Sequence, residues 1–262
     1  MSKETQIYEE SCSLERPQIS RTRKRYILML VFRCFALSFC VWLFFARPEE
    51  FTVIGKGGFF HHFSLLHVLF IVWIFDMLIQ LLPVRNIVPL GSQKHLKIRF
   101  MEIKDKINYK AMKDYVTSTT KAAYKVFLLW VVLLAVLAVL YYTRVIDDSW
   151  LYLISVIFYV CDLICVLIWC PFRLIIGSRC CTTCRIYNWD HLMMFTPIMF
   201  IGSLYSTVLV VMALVIFAVW EACFMMYPER FWDKSNDALK CSNCTDKLCT
   251  QYCRKNKKSL SD

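Results

Sequence analysis

Several signatures that would announce an enzyme are missing from this chain of 262 residues. It has no glycine-rich phosphate loop, no nucleophile elbow and no H-E-x-x-H pair, so the usual residues for nucleotide, serine-hydrolase and zincin chemistry are lacking. Histidines number only five. His61, His62 and His67 lie together at one end of an apolar run, while His95 and His191 fall in links. A bis-histidine haem needs two rings on facing helices at matching depth, which this distribution does not offer. His61 and His62 read instead as interfacial residues. Long polar stretches are also absent, leaving no room for a large soluble core. Basic residues outnumber acidic ones by 31 to 20, but they are not interleaved with aromatics as in a nucleic-acid module, so nucleic acid is not an expected partner.

What is abundant is hydrocarbon. The chain is 58% hydrophobic and 16% aromatic, against roughly 45–50% apolar in soluble domains. The apolar residues gather in blocks of about 20, the length that crosses a hydrocarbon layer of roughly 30 Å. The expected fold is all-α: a polytopic integral membrane helical bundle of about five transmembrane helices with a short Cys-rich C-terminal tail. Its parts are a basic N-terminal segment (1–25), a transmembrane domain (26–227) and the tail (228–262). Spans are expected at about 26–46, 59–82, 124–142, 150–170 and 197–220, with the lipid bilayer as the first partner.

Local signals set these limits. The first run is too long for a signal peptide, and Arg47-Pro48-Glu49-Glu50 is no small-residue cleavage site. Pro83 and Pro171 terminate the second and fourth spans. Thr196-Pro197 offers an N-cap and a first-turn proline for the fifth, which leaves Tyr187 to Phe195 as a short interfacial segment. In the basic link 83–123, Phe100, Ile103, Ile107, Met112 and Tyr115 recur at roughly helical spacing. They predict an amphipathic helix on the bilayer surface or leading into span three, or else a solvated connector.

Lysine and arginine asymmetry places the protein in the cell membrane with a cytoplasmic N-terminus. Segment 1–25 and link 83–123 are then inside, and only Arg47, Lys56 and Arg144 lie outside. Five spans put the tail outside. Its Arg230, Lys234, Lys240, Lys247, Arg254, Lys255, Lys257 and Lys258 argue for the inside. Either the tail is an exception or the count is off by one.

Chemistry concentrates in cysteines, of which there are 14. The link from Cys170 to Asp190 holds Cys170, Cys180, Cys181 and Cys184 beside Arg173, Arg179 and Arg185, whose charges favour thiolates. Cys181 and Cys184 stand at C-x2-C spacing, which brings two sulfurs to one side of a turn. Because Cys180 and Cys181 are adjacent, His191 is an alternative fourth ligand. The tail quartet Cys241, Cys244, Cys249 and Cys253 has zinc-knuckle spacing, or would form two disulfides in an oxidising compartment. Both clusters are metal-site candidates for zinc or an iron–sulfur cluster. Cys34, Cys40, Cys161, Cys165 and Cys223 read as packing residues.

Charged residues inside spans must pair or line a cavity. Arg33 and Asp76 each lie roughly 10 Å from the inner end of their spans, so antiparallel neighbours would bring them together as a structural ion pair. Asp162 has no evident cation at its level and is the candidate proton-handling group. The functional expectation is a membrane redox or electron-transfer component with a cysteine-ligated centre, served by a redox partner protein or a quinone. The alternatives are a membrane thiol–disulfide oxidoreductase using Cys181 and Cys184, and a non-catalytic adaptor or sensor with structural zinc. A transporter is disfavoured because neither an internal repeat nor a broken span is visible.

Overall fold

The computed structural model describes residues 20–61, 63–81, 95, 100–103, 108–177 and 184–240. Among them the secondary structure is helical and no strand occurs. Helices begin where a side chain can take up the free N–H groups of a first turn. Ser20 accepts from the Arg23 N–H at the head of α1 (Arg21–Ala46), and Ser64 from Leu66 at the head of α2 (Leu65–Leu81). Asn108 caps α3 (Tyr109–Tyr142) through the Ala111 N–H, and Asp147 caps α4 (Asp148–Leu167) through that of Trp150. The short helices α5 (Phe172–Ile176) and α6 (Asp190–Phe195) precede α7 (Leu204–Met226). Helices α1, α3, α4 and α7 are long and apolar enough to cross a membrane; α2 is apolar but spans only 17 residues. Because α3 is continuous from Tyr109, Met112 and Tyr115 belong to the same helix as the third apolar run.

Apolar side chains line much of the outer surface as well as the interior. Leu28 is 70% exposed, Phe45 77% and Val139 62%, while Arg33, Gln80, Asn188 and His191 are each buried. The interior is aromatic and close-packed around Trp73, Tyr152, Phe195 and Tyr205, all fully buried. On α1 the buried positions Tyr26, Arg33, Ala36, Cys40 and Leu43 recur at helical spacing, forming one stripe laid along α4.

The path of the chain follows from contacts at the two ends of the bundle. With the start of α1 as the near end, α1 runs to the far end, where Phe44 meets Trp150 at 4.9 Å. Helix α2 returns: the carbonyl of Leu66 accepts from the Tyr205 hydroxyl (2.8 Å), and Gln80 reaches Asp190. Helix α3 goes out again, from Thr120 beside Arg185 to Tyr141, which donates to Asp148 at 2.8 Å. Helix α4 comes back from there. Residues 185–203 then make a traverse of their own. Tyr187 meets Tyr26 at the near end, and His191 faces Asp76. Phe195 packs on Trp73, Thr196 accepts from the Trp130 indole (3.0 Å), and Phe200 touches Tyr142 at the far end. Helix α7 descends from Tyr205 to Glu221 beside Arg185. The chain therefore traverses the bundle six times.

This fifth traverse corrects two expectations. Residues 187–195 are not a surface segment, since Trp189, Met194 and Phe195 are buried. The last long helix begins at Leu204 and not at Pro197. Pro197 does open a helical turn, but it is a 3-10 turn (Thr196–Ile201) that Gly202 ends with φ +62°. Glycine adopts that left-handed conformation without the Cβ clash other residues meet. Ser203 and Ser206 then form the capping box of α7. The traverse is built of a 3-10 turn (Arg185–Trp189), α6 and a second 3-10 turn. A traverse with such irregular backbone was not visible in the sequence.

After α7 the chain is again at the near end, and Pro228–Lys240 docks there against the link before α3. Tyr115 donates to the carbonyl of Phe231 (2.9 Å), His95 stacks on the Phe231 ring, and the Asp237 N–H donates to the Met101 carbonyl (2.8 Å).

Candidate functional site

Arg33 lies near the midpoint of α1 with its side chain only 4% exposed. One guanidinium nitrogen, Nη1, donates to Asp162 Oδ2 at 2.7 Å and to the Tyr159 carbonyl at 2.6 Å. The other, Nη2, donates to Asp76 Oδ2 at 3.3 Å. The group also sits 3.9 Å from the centroid of the Tyr159 ring. The pairing of Arg33 with Asp76 is thus only half of its environment. Asp162, for which the sequence offered no cation, holds the shorter contact, because α1 packs along α4 as well as beside α2.

The charges continue beyond Asp76. His191 Nε2 is 3.9 Å from Asp76 Oδ2, and Nδ1 is 3.0 Å from Asp190 Oδ1. Asp190 Oδ1 also accepts from the His191 backbone N–H and from Gln80. With His191 protonated, the result is a chain of alternating sign: Asp162, Arg33, Asp76, His191, Asp190. Buried charges are costly unless paired, and each interior member here stands between two opposite charges. His191 was considered as a metal ligand in the sequence; its two ring nitrogens are turned to carboxylates.

The two ends of that chain, Asp162 and Asp190, line one cavity of about 290 Å³. Its remaining wall is apolar or soft: the rings of Trp130, Phe158, Phe172 and Tyr187, the side chains of Met193 and Met194, and several cysteines. Behind the carboxylates lies a second cavity of about 20 Å³, lined by Arg33, Asp76, Gln80 and His191 among others. Asp162, Tyr187 and Asp190 belong to both walls.

The entry to the fifth traverse is clamped by a separate ion pair. Arg185 Nη2 donates to Glu221 Oε2 (2.6 Å), the Trp189 indole donates to Glu221 Oε1 (2.8 Å), and Arg185 also donates to Thr120. Its guanidinium rests 3.9 Å from the Phe224 centroid. Glu221, an acid near the end of an apolar helix, was a legible signal of this clamp. Asp190 and Gln80 could be found only once the fifth traverse was known to pass through the interior.

Of the proposed metal ligands, Cys170 and Cys184 line the 290 Å³ cavity, together with Cys161 and Cys165. The Cys165 and Cys170 side chains share a hydrogen bond. Cys180, Cys181, Cys241, Cys244, Cys249 and Cys253 lie outside the described residues. Among the described residues, no group of three or more His, Cys, Asp or Glu side chains is arranged to hold a metal ion. His67 is buried and satisfied, bonded to the Phe59 carbonyl (2.9 Å) and to Ser64. No family model, curated protein or solved structure matches this chain.

Proposed function

We propose that this is a multi-pass membrane protein that crosses the bilayer six times and binds a small organic cation in the cavity between Asp162 and Asp190. The exposed apolar surface supports the membrane reading, since apolar side chains this exposed are costly in water and stable against lipid. Six crossings return the tail to the side of the N-terminus. All the strongly basic segments then share one side, leaving Arg47, Lys56 and Arg144 on the other, as cytoplasmic termini require. Broken backbone at mid-depth is tolerated where it is buried in protein or lines a cavity, and residues 185–203 meet both conditions.

One observation carries the ligand assignment: an aromatic, nearly all-apolar cavity at whose edge stand, among the described residues, two carboxylates, Asp162 and Asp190. Aromatic faces attract cations, and the carboxylates supply the counter-charge. Against three carboxylates the chain holds one fixed cation, Arg33, so positive charge is what the site lacks. The volume of about 290 Å³ lies at the lower end for small-molecule sites, roughly 300–1,000 Å³, and suits a compact amine.

The test compares phenyltrimethylammonium with its uncharged isostere tert-butylbenzene on purified protein, read by calorimetry. The cation should bind and the hydrocarbon should bind far more weakly. Asp162→Asn or Asp190→Asn should weaken the cation by roughly 10- to 100-fold, the equivalent of one charge-assisted contact of about 1.5–3 kcal/mol. Equal binding of the two probes would refute the reading.

A cysteine-ligated redox centre is the second reading, favoured by Cys170 and Cys184 lining one cavity on either side of residues 178–183. Iron or zinc in anaerobically purified protein, lost in Cys170→Ser and Cys184→Ser, would support it.

A further inference from the structure

His191 and the small cavity beside it remain unexplained by cation binding alone. His191 Nε2, Arg33 Nε and Gln80 Oε1 are buried without a hydrogen-bond partner, and all three residues line the cavity of about 20 Å³. That is enough for one water molecule, which needs about 10–15 Å³ and two to four polar partners. The groups facing His191 are Asp190 from its own helix, Asp76 and Gln80 from α2, Arg33 from α1 and Asp162 from α4. Tyr187 and Tyr26 close the near side. Helix α7 contributes Glu221, which is turned away toward Arg185 and Trp189.

Of the two cations in the chain, Arg33 keeps its charge at any working pH, whereas an imidazole can give its proton up. A ligand cation seated between Asp162 and Asp190 shares Asp190 with His191. The two positive groups then compete for one carboxylate. Proton-handling side chains within a bundle are a recurrent means of coupling in membrane transport, and a broken crossing beside the site supplies backbone able to rearrange.

We infer that the site exchanges its organic cation for a proton. When the cation settles between Asp162 and Asp190, the Nε2–H bond of His191 breaks and the proton passes through water in the small cavity to bulk solvent. The Nδ1–H stays bonded to Asp190. When the cation leaves, Nε2 takes a proton back. One positive charge enters as one departs, so the charge of the buried chain is conserved. The inference rests on the cation-binding reading above, and it makes the protein a coupled exchanger, not a passive receptor.

The experiment titrates full-length purified protein with phenyltrimethylammonium, whose charge is fixed, by calorimetry in buffers of different ionisation enthalpy. The expected result is release of about one proton per probe bound, with affinity rising toward tenfold per pH unit as pH increases. His191→Gln should bind the probe with no proton release and no pH dependence. Binding without release by the unaltered protein, or undiminished release by the variant, overturns the exchange while leaving the cation site intact. No binding at all by the unaltered protein removes the cation site and the exchange with it. Should the variant fail to fold, proton release and pH dependence in the unaltered protein decide alone.

Discussion

Replacing Arg33 with methionine tests whether the buried charge chain is organised as described. The substitution keeps most of the side-chain volume but removes the donors to Asp162 (2.7 Å), the Tyr159 carbonyl (2.6 Å) and Asp76 (3.3 Å). Two carboxylates then remain in the interior with one cation lost. Breaking a buried pair by removing one partner costs about 3–5 kcal/mol, whereas replacing the whole set with neutral groups is often near neutral. At about 2–4 °C per kcal/mol for a chain of this size class, Arg33→Met should lower the melting temperature by roughly 6–20 °C. The triple variant Arg33→Met, Asp76→Asn, Asp162→Asn should recover most of that loss. Thermal unfolding in one detergent at one scan rate reads both, since such unfolding is often irreversible and the comparison must be made under matched conditions. A single variant as stable as the original protein, or a triple variant no better than the single, would refute the claim that Arg33 is held by its carboxylates.

Three further outcomes follow from the same structure. Tags at the two chain ends should be accessible from the same side of sealed vesicles, and the Asn243-Cys244-Thr245 sequon should stay unglycosylated; a glycan there would contradict six crossings. Ser203→Ala should cost about 1 kcal/mol through loss of the α7 cap, and Gly202→Val about 1–2 kcal/mol because residue 202 is left-handed; both are read as melting shifts. Glu221→Leu should destabilise by about 3 kcal/mol by leaving the buried Arg185 unpaired. Arg185→Met added to it should restore stability, and additive losses would argue against the clamp.

The sequence made the helices legible and hid how they meet. Apolar runs located four long apolar helices and the shorter α2, because a block of apolar residues is a local fact. Depth could also be counted: Arg33 and Asp76 were set at one level, and they lie 3.3 Å apart. Partner choice could not be counted. Asp162 had no cation because only chain neighbours were compared, whereas α1 lies along α4. The fifth traverse escaped because Asn188, Asp190 and His191 make its first half look like a link, while Pro197 and Gly202 cut its second half.

The hydroxyls of Tyr152 and Tyr205, joined to each other and to the Leu66 carbonyl, close the far end together with Phe51, Phe59 and Phe70. Between the charge chain and the near end, the described residues place a smaller cluster, in which Tyr26 and Tyr187 touch at 3.4 Å beside Leu163, Val166 and Leu167. In a bilayer under voltage, the electrical drop concentrates where ions and water are shut out. Most of the potential would therefore fall across the tyrosine-sealed half. A charge arriving from the near end would do little electrical work, and one forced out past the tyrosines would do nearly all of it, up to roughly 2.3 kcal/mol per 100 mV.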